Sequence, residues 1–206
     1  DPVEAGGGAA FGQKRPFRAC GDVGVSAFVK LIPLPVDGEG DEAAGDEDDM
    51  LDAFVGIGND SACRVLVLRG AGGHFCAGGD IGMLASLGSP AEAQDFVAFS
   101  RSVFSKIHNL ARPVIAAVNG PAAGAGMSLA LACDIRIAAE SASFVPAFIN
   151  IGLVPDGGST WILPRLIGKA RATRMMMLGE KIMGPQAEDW GLIYKCAEDD
   201  ALAGEV

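Results

Sequence analysis

Apolar positions fall into two patterns along this chain. Three runs are short and continuous: VLVL within RVLVLRG (64–70), VIAAV within PVIAAVNG (113–120) and IRIAA within DIRIAAE (134–140). Their length, and the Gly, Asn or charged residues that bound them, predict buried strands. In SPAEAQDFVAFSRSVFSKIHNLA (89–111), by contrast, Phe96, Phe99, Val103 and Ile107 recur at helical spacing. Ser89 suits the cap, Pro90 the first helical position, and Glu92 completes a capping box. AGMSLALAC (125–133) predicts a buried helix. Further helices are expected over 157–167, 169–178 and 185–190, with IYKCAED (193–199) a late strand. MLDAFVGI (50–57) suggests a short helix, and VGVSAFVKLIPL (23–34) one strand in an otherwise poorly readable segment, 1–49. Strands alternating with helices predict an α/β fold with mainly parallel pairing, its core in residues 50–206.

Composition narrows the class. A chain of 206 residues can build one domain with its own core. No charged residue occurs from Pro113 to Cys133, a length that would cross a bilayer. Asn119-Gly120-Pro121 breaks that stretch, which therefore reads as strand, turn and helix, not as a membrane span. The start, DPVEAGGG, is polar and acidic and does not read as a signal peptide. Of the net charge of −10, eight acids lie in 37–49, DGEGDEAAGDEDD, which reads as a solvated loop. The remaining 18 acids and 16 bases are nearly balanced, and no basic patch suggests a nucleic-acid partner. Five scattered cysteines without a CxxC pair, and only two histidines, argue for reduced thiols, a cytoplasmic setting and no metal site.

Three loops carry candidate chemistry. GAGGHFCAGGD (70–80) is no dinucleotide fingerprint, because Phe75 stands where the third glycine belongs and no acidic partner follows. What remains is a loop of free backbone amides entering a helix, with Asp80 as the expected cap. GPAAGAGMS (120–128) is a second such loop, and its Ser128 lacks the setting of a nucleophile elbow. Together they form either an oxyanion hole or simply two packed glycine turns. NIGLVPDGGSTW (150–161) holds a lone carboxylate, Asp156, at a rigid turn. Two readings stay open: a cap on a helix starting near Gly157, or an acid/base in an apolar setting. His74 is read as a loop residue within possible reach of a site, His108 as a late-helix cation, and Met175, Met176 and Met177 as core filler.

In combination, FCAGGDI, NGPAAGAGMSLALACDIRIA and SFVPAFINIGLVPDGGSTWILPRLIG resemble the crotonase (enoyl-CoA hydratase/isomerase) superfamily, over about Met50 to Asp199. The resemblance implies a spiral of ββα units that binds an acyl-CoA, works as a homotrimer or a dimer of trimers, and needs no cofactor beyond the coenzyme A of its substrate. It implies that the backbone N–H groups of Gly79 and Ala125 hold the thioester oxygen as it gains charge. Phe144, Phe148 and Trp161 are the expected walls of the acyl pocket. The two glutamates with which the family's hydratases position water match Ser128 and Phe148 here, so isomerisation is favoured over hydration. Asp156 matches the proton-transferring aspartate of the phenylacetate-pathway ring isomerases, and the nucleophile of the chlorobenzoyl-CoA dehalogenases. The alternatives are therefore a hydrolase- or dehalogenase-like enzyme with a nucleophilic Asp156, or a non-catalytic acyl-CoA-binding protein. The family's N-terminal CoA-binding segment has no match in residues 1–50, and its C-terminal helices are expected to be incomplete.

Overall fold

The structure is a computed structural model that describes the backbone of residues 27–31 together with residues 54–56 and 63–206. In chain order the elements are β1 (Ala27–Leu31), β2 (Leu66–Gly70), α1 (Ile81–Ser86), α2 (Pro90–His108), β3 (Val114–Val118), β4 (Ala122–Ala123), α3 (Ala125–Ala132), β5 (Ile135–Ala139) and β6 (Ser143–Val145). A short 3-10 helix (Ala147–Ile151) follows, then α4 (Ser159–Leu178), β7 (Ile182–Met183), α5 (Gly184–Asp189), β8 (Lys195–Ala197) and α6 (Leu202–Glu205). Residues 54–56 are helical, within the stretch expected to form a short helix. The acidic run 37–49 and Cys20 lie outside the described residues.

The continuous apolar runs pair into one parallel sheet in the order β1-β2-β3-β5-β8. Leu66, Val67, Leu68, Val114, Ala116, Val118 and Ala138 are essentially inaccessible to solvent. Burial on both faces explains why β2 and β3 read as near-continuous apolar runs, while β5 buries Arg136, whose Nε and Nη1 donate to Leu192 O and Cys133 O at 2.8 and 2.6 Å. Each buried Val or Leu contributes about 1.5–3 kcal/mol relative to exposure. A second, three-stranded sheet in the order β4-β6-β7 pairs β4 with β6 in parallel and β6 with β7 antiparallel.

The helices follow the predicted pattern with local shifts. In α2, Val103 and Ile107 enter the core while Phe96 and Phe99 are only partly covered. Ser89 Oγ accepts the Glu92 N–H at 3.2 Å, but the Glu92 carboxylate accepts from Gly88 N–H at 2.7 Å, so the box closes one residue earlier than expected. The two helices expected over 157–167 and 169–178 meet at a kink within α4, where Gly168 has a non-helical φ of 78° and ψ of 158°. Of the three consecutive methionines only Met175 is fully buried. Met177 is 65% exposed, because it lies on the outward face of α4.

The loops leaving β2 and β3 are stitched together. Phe75 N–H and Cys76 N–H both donate to Pro121 O, at 3.0 and 3.2 Å, and Ala123 N–H donates back to Cys76 O at 2.9 Å. Asn119 spans the seam: its Oδ1 accepts Gly70 N–H at 2.9 Å and its Nδ2 donates to Gly72 O at 3.0 Å. Gly126 sits so close to the opposing loop that an added Cβ would stand 2.1 Å from Cys76 O. Gly126→Ala is therefore expected to cost about 1–3 kcal/mol through overpacking against backbone. Gly73→Ala, with nothing within 4 Å, is expected to stay within about 0.5 kcal/mol of the wild type. Urea midpoints of the two variants measure this, and equal midpoints would refute the close seam.

Candidate active site

The seam brings the two proposed N–H donors into neighbouring positions. A Cβ built on Gly78 would lie 3.3 Å from the Ala125 nitrogen, so the peptide that carries Gly79 N–H abuts the start of α3. Ala125 opens that helix after Gly124, which offers no side-chain cap. Among the described residues, neither Gly79 N–H nor Ala125 N–H donates to another backbone or side-chain group of the chain. First-turn amides lack intrahelical partners, and the helix dipole adds positive potential at the same point. The pair is thus suited to an oxygen that gains negative charge.

Asp156 is tied to the same helix. Ser128, on the first turn of α3, donates its Oγ–H to the Asp156 carbonyl at 2.9 Å. Ser128 itself stands three residues, ~4.5 Å of helix rise, beyond Ala125. The Asp156 side chain does not cap α4. That helix begins at Ser159 with Gly158 as its N-cap and no side-chain cap bond. Gly157 and Gly158 both have positive φ, 57° and 83°, which delays the helix by two residues relative to the sequence expectation. The carboxylate is left facing a cavity.

That cavity has a volume of about 440 Å³ and lies between α2 and the start of α4. Phe96, Val97, Phe104, Trp161 and Ile162 give it a largely apolar wall, with Asp156 at its edge. Burial by these walls pushes the Asp156 carboxyl above the usual carboxylate range, against a hydrogen bond from its own backbone N–H that pulls it down. The residue remains exposed at the cavity mouth, so the apolar surroundings act on it from one side only. Trp161 is 58% exposed and is held by Arg165, whose guanidinium lies 3.8 Å from the ring centre.

Among the expected acyl-pocket residues, only Trp161 lines this cavity. Phe144 is fully buried in the core on β6, where it pairs with Ala122, and Phe148 is buried in the 3-10 helix. The wall of this cavity comes instead from α2, whose apolar residues at helical spacing divide between core (Val103, Ile107) and cavity (Phe96, Phe104). The helical period was visible in sequence, but not which residues would face a cavity. His74 is an exposed loop residue that lines no part of the cavity, and His108 lies in the last turn of α2, where with Arg101 it lines the cavity. Asp80 behaves as expected, its Oδ1 accepting from Gly82 and Met83 N–H at 2.7 and 3.1 Å. Cys133 is no alternative nucleophile, because burial pushes its thiol up to about 12. Among the described residues no group of three or more His, Cys, Asp or Glu could hold a metal ion, and no helix is long and apolar enough to cross a membrane.

A parallel-sheet α/β unit whose two glycine-rich loops are stitched edge to edge at one end of the sheet defines the class of fold. Comparison with known proteins gives that class its family. Residues 44–206 match the family model "Enoyl-CoA hydratase/isomerase". A 1,2-epoxyphenylacetyl-CoA isomerase of Escherichia coli (strain K12) is 44% identical over 155 residues, covering 71% of this chain and 57% of the relative. A crotonyl-CoA hydratase of Syntrophomonas wolfei is 38% identical over 156 residues, covering 75% and 60%. Among solved structures, an enoyl-CoA hydratase from Bacillus anthracis superposes with a TM-score of 0.73 at 35% identity, over 77% of this chain and 62% of that one. An enoyl-CoA hydratase from Polaromonas sp. JS666 gives 0.73 at 37%, over 77% and 63%. The chain belongs to the enoyl-CoA hydratase/isomerase family, within the crotonase superfamily, and has its fold. It spans between about half and three-fifths of the length of the first curated relatives it matches.

The raised Asp156 carboxyl has a consequence for stability. A carboxyl with a raised folded pKa binds its proton more tightly in the folded than in the unfolded chain. Its contribution therefore favours folding at low pH, and is lost as pH rises from the ordinary aspartate value through the raised one. Asp156→Asn, which cannot ionise, is expected to be at least as stable as the wild type at neutral pH and to lose that advantage in acid. Thermal midpoints measured from acid to neutral pH check this, and a variant clearly less stable at neutral pH would contradict it.

Proposed function

We propose that this chain is the acyl-CoA-binding core of an enzyme that isomerises an unsaturated or ring-modified acyl-CoA. The thioester oxygen accepts hydrogen bonds from Gly79 N–H and Ala125 N–H. Each well-placed donor stabilises the developing enolate by about 3 kcal/mol. The Asp156 carboxylate takes the proton from the carbon alpha to the thioester and returns it at another carbon, which shifts the double bond. Such a shuttle needs one base whose proton affinity suits both directions, and a raised carboxyl fits that need.

The observation that carries this reading is the lone Asp156 carboxylate at the edge of a largely apolar cavity, its backbone carbonyl held by Ser128 from the first turn of the helix that Ala125 opens. The two positions that would supply hydratase carboxylates hold Ser128 and Phe148, both buried and neither acidic. Among the relatives, one is named for isomerisation and others for hydration. The residues present at 128 and 148 favour the first. A nucleophilic Asp156 would use the same cavity but would form an acyl- or aryl-aspartate and release a thiol or halide.

Solvent deuterium exchange separates these readings. The wild type, in heavy water with a panel of α,β- and β,γ-unsaturated acyl-CoA esters, is expected to incorporate deuterium and move the double bond. Asp156→Asn is expected to lower that rate by at least about a hundredfold, the lower end of the range for a lost general base. Mass spectra of the esters show the outcome. Ester consumption without exchange, accompanied by free coenzyme A, would instead select hydrolysis.

A further inference from the structure

We propose that Ser128 and Ser159 are positioning residues for Asp156: their hydroxyls clamp its carbonyl against α3, and this fixes the direction in which its carboxylate enters the cavity. The inference rests on the reading of Asp156 as the proton-transfer group. Three donors converge on that one carbonyl. Ser128 Oγ–H donates at 2.9 Å, Ser159 Oγ–H at 2.7 Å and Ser159 N–H at 3.0 Å. Both serines are fully buried. Ser128 Oγ has Gly124 O available one turn back, but at 3.5 Å, so its single proton is committed to Asp156.

The turn is built for this clamp. Gly157, at φ 57°, reverses the chain so that the Asp156 carbonyl points inward while the side chain points out. A Cβ on Gly157 would stand 2.6 Å from Ser128 Cβ and 2.9 Å from Phe104 Cζ. The turn thus lies directly on Ser128 and on a cavity wall. Ser128 is therefore more than the loss of a hydratase carboxylate. A small hydroxyl residue at 128 leaves the Asp156-Gly157 turn room to seat, and supplies the bond that seats it. A long side chain at 128 would occupy the space of that turn. The two positions work as a matched pair, 28 residues apart in sequence.

A carboxylate that moves a proton between two carbons must reach both from one seat, and small misplacements of reacting groups are costly in rate. Neither serine side chain lines the cavity, so their hydroxyls are not expected to contact a bound ester. Ser128→Ala and Ser159→Ala are therefore expected to lower kcat for isomerisation of the same unsaturated esters roughly tenfold each, below the loss for a gross misplacement. KM is expected to stay within about twofold, since ground-state binding is unchanged. The Asp156 carbonyl keeps two of its three donors in either variant, so thermal midpoints should stay near the wild type.

Three results would overturn the proposal. Unchanged kcat in both serine variants, with exchange still dependent on Asp156, would remove the clamp and leave the base reading intact. A loss carried by KM or by the thermal midpoint would assign the serines to folding alone. Exchange that survives in Asp156→Asn would remove the base reading and the clamp with it.

Discussion

The site depends on the seam between the loop leaving β2 and the loop leaving β3. Parallel neighbours deliver both loops at the same end of the sheet, and backbone bonds from Phe75, Cys76 and Ala123, with the Asn119 side chain, hold them edge to edge. Such a seam leaves no room for side chains, hence Gly126 against Cys76 O. It also sets two amides, Gly79 and Ala125, side by side without internal partners. Backbone donors fixed in this way need no reorganisation when charge appears on a bound oxygen, which is why a rigid seam suits them better than two mobile side chains.

Everything else attaches to α3, the helix that starts at the seam. Its first turn supplies Ala125 N–H on one side and Ser128 Oγ on the other. Through Ser128 the helix holds the turn that carries Asp156, and through that turn the start of α4 with Trp161 and Ile162. The helix is buried and almost wholly apolar, so its position is fixed by core packing around Met127, Leu129 and Ala130. Core packing thus sets the distance between the amide pair and the carboxylate. The apolar wall from α2 then raises the proton affinity of Asp156 without a neighbouring acid.

Much of this architecture was legible beforehand. The runs at 64–70, 113–120 and 134–140 became buried parallel strands because sheets covered on both faces need no polar alternation. Asp80 and Ser89 were readable as caps because capping is a local bond. Asp156 stayed open between cap and acid/base because, as a local pattern, an aspartate before glycines resembles a cap; its placement follows from two consecutive positive-φ glycines and a bond to a residue 28 positions away. That Phe144 and Phe148 are buried away from this cavity depends on how β6 and the 3-10 helix turn them, which local sequence does not record. The cavity residues on α2 were visible only as a helical period.

By itself, then, the sequence determined the elements, the parallel α/β class, the two amide-rich loops and the identity of the one carboxylate beside them. These follow from short-range properties: apolar periodicity, glycine content and the absence of acids at 128 and 148. Only the tertiary structure decided which donors stand together, which aromatic residues wall the cavity and what holds Asp156 in place. Those depend on contacts between segments far apart in the chain, and local pattern carries no record of the distance at which two such segments will meet.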